Sequence, residues 1–233
     1  MIFNLTQPVL NSAPEFTYTG TYEYIDDGGS NWRIKFLTSG VFTPKKDLLV
    51  DEFLVGGGAG GNFSALPNET PGGGSGYTTT ARSVQLTANT PYDIIIGAGG
   101  GKQAGSSVAS DGGKSSALGF EASGGEAGWG AANNAHGGNG GSGGGGYRGE
   151  GGVDGANGGG THGGTGQGTT TREFGESTGA LYATGGGSSD SSTGGASGGE
   201  NTGDGGSGGK VGVLSGKGGS GIVIIRKHKE AAA

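Results

Sequence analysis

The sequence has no cysteine, so neither a disulfide nor a thiolate metal site can hold this chain together. Proline is scarce, with 6 residues among 233. No run approaches the roughly 20 apolar residues that cross a bilayer, and the 3.6-residue apolar period of an amphipathic helix is missing. We therefore expect no α-helix and no membrane insertion. The absence of cysteine fits a bacterial or viral product made in a reducing bacterial cytoplasm. The N-terminal stretch has no basic region and no long apolar run, so we expect no signal peptide.

Charge is also sparse, at 15% of residues, and the net charge is −6 from 14 basic and 20 acidic side chains. No basic block is large enough to follow a phosphate backbone, so the sequence predicts no nucleic-acid partner. The acidic residues do not follow the regular Gly-Asp spacing of calcium-binding β-rolls. We expect no metal and no cofactor.

Glycine dominates what is present. It accounts for 63 of the 233 residues, several times the usual share of about 7%. The apolar residues are not spread evenly; they gather near the N-terminus, in one middle stretch and in the last dozen residues. This clustering indicates a modest hydrophobic core built from separated segments.

The apolar segments have the composition of β-strands, and several adjoin glycine runs. LLVDEFLV at 48–55 runs directly into GGGAGG, Tyr92 to Ile96 runs into GAGGG, and GGSG leads into Ile222 to Arg226. Further strands are expected at Phe16 to Ile25, Trp32 to Leu37, Val41 to Thr43, Tyr77 to Leu86 and, more weakly, Ala117 to Ala122.

Between about residues 124 and 217 the chain is mostly Gly, Ser, Thr, Asn and Ala, the composition of a flexible linker. Glycine pairs nevertheless recur every three residues at 137–144 and 205–210, and polyproline II has three residues per turn. Glycine faces without side chains allow backbone groups of neighbouring helices to bond. The predicted fold is therefore all-β and irregular, a small jelly-roll or TNF-like β-sandwich with an inserted bundle of polyglycine or polyproline-II helices. The expected divisions are an extension at 1–15, a sandwich with short glycine insertions at 16–123 plus 218–228, the bundle at 124–217 and a flexible tail at 229–233.

Three patterns that resemble enzyme or nucleotide motifs are weak. Residues 56–61 satisfy GxGxxG, but no helix follows, and in so glycine-rich a chain the pattern arises by chance. The Gly-Lys-Ser at 113–115 lacks the first glycine of a P-loop. A Ser-His-Asp set can be imagined around His136, His162 or His228, but no GxSxG elbow fixes it. We expect no enzyme activity.

The best recognition candidates are the aromatic, histidine and arginine side chains of the least repetitive glycine-rich stretches, because such residues dominate binding hot spots. They are Trp129, His136, Tyr147, Arg148, Phe174 and Tyr182. An equally weighted alternative is that they close the ends of the bundle or pack on the sandwich.

Four short motifs occur in a distinctive order: SGVFTP at 39–44, VDEFLVGGGAGG at 50–61, PYDIIIGAGG at 91–100 and GGSGIVIIR at 218–226. Together they resemble the glycine-rich domain of bacteriophage and prophage tail proteins. That domain is similar to the glycine-rich region of the anaplastic lymphoma kinase receptor group and to glycine-rich tail-fibre tip adhesins. The resemblance implies a sandwich with an inserted glycine bundle and a place in the virion tail.

The functional hypothesis is a tail-associated module that recognises a host-surface glycan or protein and contacts other virion tail proteins. Residues 1–15 contain no tail-docking coiled coil or trimerisation stalk, so the mode of attachment stays open, as does homo-oligomerisation. One alternative is a purely architectural tail component. Another is an ice-binding protein, because flat glycine-helix bundles with Thr and Ser faces can order water; the Thr169-Thr170-Thr171 run is a weak sign of such a face.

Overall fold

The computed structural model describes residues 13–63, 70–103, 109–130, 134–147, 161–168, 170–188, 195–209 and 214–229. Within these ranges the chain forms ten β-strands and no α-helix, and a short 3-10 turn lies at Glu173–Gly175. No helix among the described residues is long and apolar enough to cross a membrane. The strands are β1 (Phe16–Tyr18), β2 (Tyr22–Gly28), β3 (Asn31–Phe36), β4 (Gly40–Pro44), β5 (Leu48–Val55), β6 (Thr78–Leu86), β7 (Tyr92–Ile95), β8 (Ser115–Ala117), β9 (Phe120–Ala122) and β10 (Ile222–Lys227).

The strands form two five-stranded sheets in which every paired neighbour is antiparallel. The first sheet has the order β1-β4-β7-β8-β9, and the second has the order β2-β3-β10-β5-β6. β10 lies at the centre of the second sheet, between β3 and β5. The short apolar IVII segment is thus stabilised by pairing with strands from the first quarter of the chain, as the all-β prediction requires.

The main hydrophobic core draws on both sheets, which gives the fold a sandwich-like arrangement. Alternate residues of β3, β5 and β10 meet side chains of β4, β6, β7, β8 and β9, as expected for strands with a two-residue side-chain period. The fully buried members of this core include Ile34, Phe36, Phe42, Val50, Leu54, Leu86, Ile94, Val223 and Ile225.

The outer face of the second sheet is covered by residues 170–183, which we call the cover segment. Phe174 and Tyr182 pack there against Phe53, with ring centroids 6.0 and 5.7 Å from the Phe53 ring. The residues Val55, Ile222 and Ile224 complete this second core. Burial of one large aromatic side chain stabilises by about 1.5–3 kcal/mol. The cover segment is therefore part of the folded body of the protein.

The region predicted as one weak strand at Ala117 to Ala122 is instead a hairpin of two short strands. Leu118 and Gly119 connect them, with φ values of +49° and +92°. Positive φ at both central residues is the signature of the two-residue turn that best matches the twist of β-hairpins. A leucine rarely adopts this conformation, which is why the sequence did not indicate the turn.

The glycine segments are held by backbone hydrogen bonds that repeat every three residues. Along 56–62, N–H groups three apart donate to the same neighbouring segment, at N···O distances of 2.8–3.0 Å. The acceptors, in order from residue 56, are the carbonyl oxygens of Tyr77, Gly113, Gly219, Gly74, Ser110, Gly216 and Pro71. The acceptor numbers fall by three at each repeat, so each of the three neighbours runs antiparallel to 56–62.

At the glycines of 56–61, neighbouring backbones approach too closely for a side chain. A Cβ atom at Gly57 would overlap the carbonyl oxygen of Ala98, and one at Gly58 would overlap that of Asp204. Close approach is what lets the backbone N–H and C=O groups of the buried segment pair with each other.

The predicted boundary at residue 124 does not divide the glycine segments. The Gly125 N–H donates to Gly57, the Gly72 N–H donates to Gly145, and the Gly206 N–H donates to Ala59. The glycine runs before residue 124, which were expected to be short insertions in the sandwich, therefore belong to the same hydrogen-bonded set as the later ones.

Candidate recognition site

The end of the glycine segments away from the sheets carries a group of aromatic and polar side chains. The segment 56–62 leaves β5 and runs beside 71–77, which leads back to β6, so Asn62 marks this distal end. The side-chain amide of Asn62 donates to the carbonyl oxygen of Gly130 at 3.1 Å. We call the distal group, comprising Asn62, Trp129, Asn134, His136, Tyr147 and His162, the distal surface.

Trp129 and His136 form the centre of the distal surface. Their backbones exchange two N–H···O bonds, of 2.9 and 2.8 Å. Their rings stack with centroids 3.9 Å apart and planes only 6° from parallel. The Trp129 side chain is nevertheless 57% exposed. One face of the indole is thus held by the protein while much of the ring remains in water.

His136 is in turn bordered by His162 and Asn134. The His162 ring lies 4.3 Å from the His136 ring at a 55° tilt, and His136 Nε2 lies 3.2 Å from Asn134 Oδ1. Desolvation, followed by the neighbouring His162, lowers the pKa of His136 below its usual value. The stack with Trp129 is therefore a contact of two uncharged rings at neutral pH.

The structure divides the predicted recognition residues into two groups. Trp129, His136 and Tyr147 come together, since the Tyr147 N–H donates to the Ala135 carbonyl beside His136 at 2.9 Å. Arg148 lies outside the described residues. Phe174 and Tyr182 belong to the cover segment, where they pack against the Phe53 ring and are only 2% and 7% exposed.

In the two stretches that resemble nucleotide-binding motifs, residues 56–61 and 112–115, backbone N–H groups already donate hydrogen bonds within the protein. Residues 56–61 donate to neighbouring glycine segments as described, and the N–H groups of Gly112 and Gly113 donate to Gly125 and Ala98. Lys114 pairs with Glu121 at 2.6 Å, and the Ser115 hydroxyl donates to the Val55 carbonyl. A phosphate-binding loop needs such donors free to face its ligand, so neither pattern forms one. No group of three or more metal-ligating side chains capable of holding a metal ion occurs among the described residues.

Sequence reasoning missed a network of ion pairs on the outer face of the second sheet, in which Asp51, Glu173 and Arg226 are buried. Asp51 is fully buried and accepts from Arg226 at 3.1 Å, and Arg226 also pairs with Glu176 at 2.6 Å. Arg33 joins Asp27 and Glu173 in the same way, at 2.8 and 2.7 Å. Asp51 and Arg226 are far apart in the chain and meet because β10 pairs with β5, whereas the cover segment supplies Glu173 and Glu176.

Two antiparallel sheets extended by hydrogen-bonded glycine segments define a glycine-rich all-β protein. The model of one protein family, described as the glycine-rich domain, matches residues 37–228. The chain belongs to this family. A comparison with the curated proteins finds no match.

Proposed function

We propose that the chain is a recognition module whose distal surface binds a glycan or protein on a host cell. The observation that carries this proposal is the Trp129 side chain, which is more than half exposed yet fixed by stacking on His136. Large aromatic side chains provide most binding energy at interfaces, and a side chain already held in place loses little entropy on binding. The distal surface acts by non-covalent contact.

We further infer that the glycine segments are polyproline-II-type helices that extend a jelly-roll-like base. The three-residue repeat of the backbone hydrogen bonds supports this, because polyproline II has three residues per turn. A strand rises about 3.3 Å per residue and polyproline II about 3.1 Å, so β5 can continue into such a helix without a turn. A scaffold of this kind would hold the distal surface rigidly away from the sheets.

A role in the tail of a bacteriophage or prophage follows from the resemblance of the four ordered motifs, and membership of the glycine-rich domain family is consistent with it. In this setting the sheets would face other tail proteins and the distal surface would face the host.

Binding of the labelled, folded protein to a panel of bacterial envelopes tests the proposal, with heat-unfolded protein as a control. We expect saturable binding confined to some strains and at least about a tenfold loss, or about 1.4 kcal/mol, for Trp129→Ala. The matched control is Phe120→Ala, an exposed aromatic on the β8–β9 hairpin, which should bind like the wild type. Equal binding by Trp129→Ala, or no binding to any strain, would overturn the proposal in favour of an architectural tail component.

A further inference from the structure

A serine, a histidine and a carboxylate form a hydrogen-bonded row across three adjacent strands of the second sheet. The Ser83 hydroxyl oxygen lies 3.3 Å from His228 Nε2, and His228 Nδ1 lies 2.6 Å from Asp51 Oδ1. Asp51 belongs to β5, Ser83 to β6, and His228 directly follows β10. We propose that Ser83, His228 and Asp51 form a nucleophilic triad that hydrolyses small acyl esters, since triads are defined by geometry and roles rather than by chain order.

Asp51 has the properties that the orienting carboxylate of a triad requires. Burial acts to raise the pKa of Asp51, but hydrogen bonds from His228, the Ser83 amide and Arg226 outweigh it and lower that pKa. The carboxylate therefore stays ionised and accepts from His228 Nδ1. Arg226 Nε donates to the other oxygen at 3.1 Å and fixes its position. With Nδ1 held by Asp51, Nε2 is directed to the serine as the base.

The backbone of β6 is distorted at the proposed nucleophile. The pairing of β5 with β6 shifts register between Val50 and Glu52, and Ser83 adopts a φ of +56°. The Ser83 N–H donates to Asp51 Oδ1 at 3.2 Å. Bulges redirect side chains and are frequent beside active sites, and a non-glycine residue with positive φ stores strain that persists only when its surroundings impose it. The distortion here aims the Ser83 hydroxyl at His228.

Arg82 supplies a cation beside the nucleophile. Its guanidinium contacts Asp51 Oδ2 at 3.3 Å and the Phe174 carbonyl at 2.8 Å, while about half of its side chain remains exposed. A guanidinium carries five N–H donors, so donors remain for the oxygen of a tetrahedral intermediate. Because Ser83 is itself exposed, the site suits an unhindered ester such as an acetyl ester.

The reaction balances without a cofactor. Ser83 Oγ attacks the ester carbonyl carbon while His228 Nε2 takes the hydroxyl proton, and the tetrahedral intermediate collapses as His228 returns this proton to the departing alcohol. Water then attacks the acylated serine with His228 again as the base. The acid leaves and the Ser83 hydroxyl is restored.

Hydrolysis of p-nitrophenyl acetate, together with labelling by a fluorophosphonate probe, tests the proposal. Exposed lysines and histidines also react slowly with activated esters, so mass spectrometry must locate the label. We expect the label on Ser83, and at least tenfold loss of hydrolysis in Ser83→Gly and His228→Gln. The positive φ at Ser83 favours glycine, so the first variant removes the nucleophile without disturbing the fold.

A matched control separates the triad from general surface reactivity. Ser116→Ala, on β8 of the other sheet, should hydrolyse the ester like the wild type. Absence of the label from Ser83, or unchanged hydrolysis in the folded Ser83→Gly variant, would overturn the proposal. Neither result bears on recognition by the distal surface, because Trp129→Ala leaves all three triad residues in place.

Discussion

Asp51 and Glu52 are consecutive residues whose surroundings are opposite. Asp51 points to the outer face of the second sheet, where Arg226 and His228 donate to it. Glu52 points into the core between the sheets and is fully buried, and neither of its oxygens has a hydrogen-bond partner among the described residues. Desolvation raises the pKa of Glu52 to about 8. One residue step along a strand thus separates a stabilised carboxylate from a neutral buried acid.

Glu52 makes the free energy of unfolding depend on pH. The unfolded chain loses this proton near pH 4.5, whereas the folded protein keeps it to about pH 8, so stability should fall between these values and level off above them. The fall amounts to roughly 3–5 kcal/mol at about 1.4 kcal/mol per pKa unit. Glu52→Gln should remove it, as measured by urea unfolding at several pH values. Glu121→Gln, on an exposed strand, should retain the wild-type slope; an equally steep slope in Glu52→Gln would refute the assignment.

At the scale of the element, the glycine segments depend on contact between backbones rather than on side-chain packing. Gly58 donates to Gly219 and accepts from Gly100, each within 2.8 Å. A methyl group there would overlap the Asp204 carbonyl, so Gly58→Ala must separate two segments. We expect a loss of at least about 3 kcal/mol in urea unfolding, at the upper end of overpacking costs.

Gly187→Ala is the matched control for Gly58→Ala. A Cβ atom at Gly187 would meet only the Ser207 hydroxyl, at 3.9 Å, an ordinary contact. This variant should stay within about 0.5 kcal/mol of the wild type. Similar losses of unfolding free energy in the two variants would contradict this prediction. They would mean that the intrinsic backbone preference of alanine, and not the close approach of a neighbouring backbone, causes the destabilisation.

The sequence predicts elements better than it predicts their partners. The strand from Leu48 to Val55 was evident from its β-branched and aromatic side chains, and the glycine run after it indicated close backbone approach. Nothing local shows that Gly58 meets Gly219, or that Arg226 meets Asp51, because strand pairing across most of the chain creates both contacts. Phe174 is a similar case, since an aromatic residue in a polar tract fits a surface or a core equally well until the fold is known.

At the scale of the whole molecule, the sheets and the glycine segments share one continuous backbone. β5, β7 and β9 each lead into a glycine segment, and β6, β8 and β10 are each entered from one. Hydrogen bonds also close the junctions, as between Gly56 and Tyr77 and between Gly221 and Gly97. Loss of either part would leave the buried polar groups of the other unpaired, which favours a single cooperative transition.

The fluorescence of the chain's two tryptophans can follow the unfolding of the sheets and of the glycine segments separately. Trp32 is buried in the core between the sheets, and Trp129 lies at the distal surface. Trp129→Phe and Trp32→Phe each leave a single fluorescent tryptophan. For each variant we measure the urea midpoint twice, by the fluorescence of that tryptophan and by far-UV circular dichroism, and we expect the two midpoints to be equal. Comparison within each variant removes the effect of the substitution on overall stability. A Trp129 signal lost at clearly lower urea than the dichroism would show that the glycine segments open separately, and the distal surface could not then be a rigid extension of the sheets.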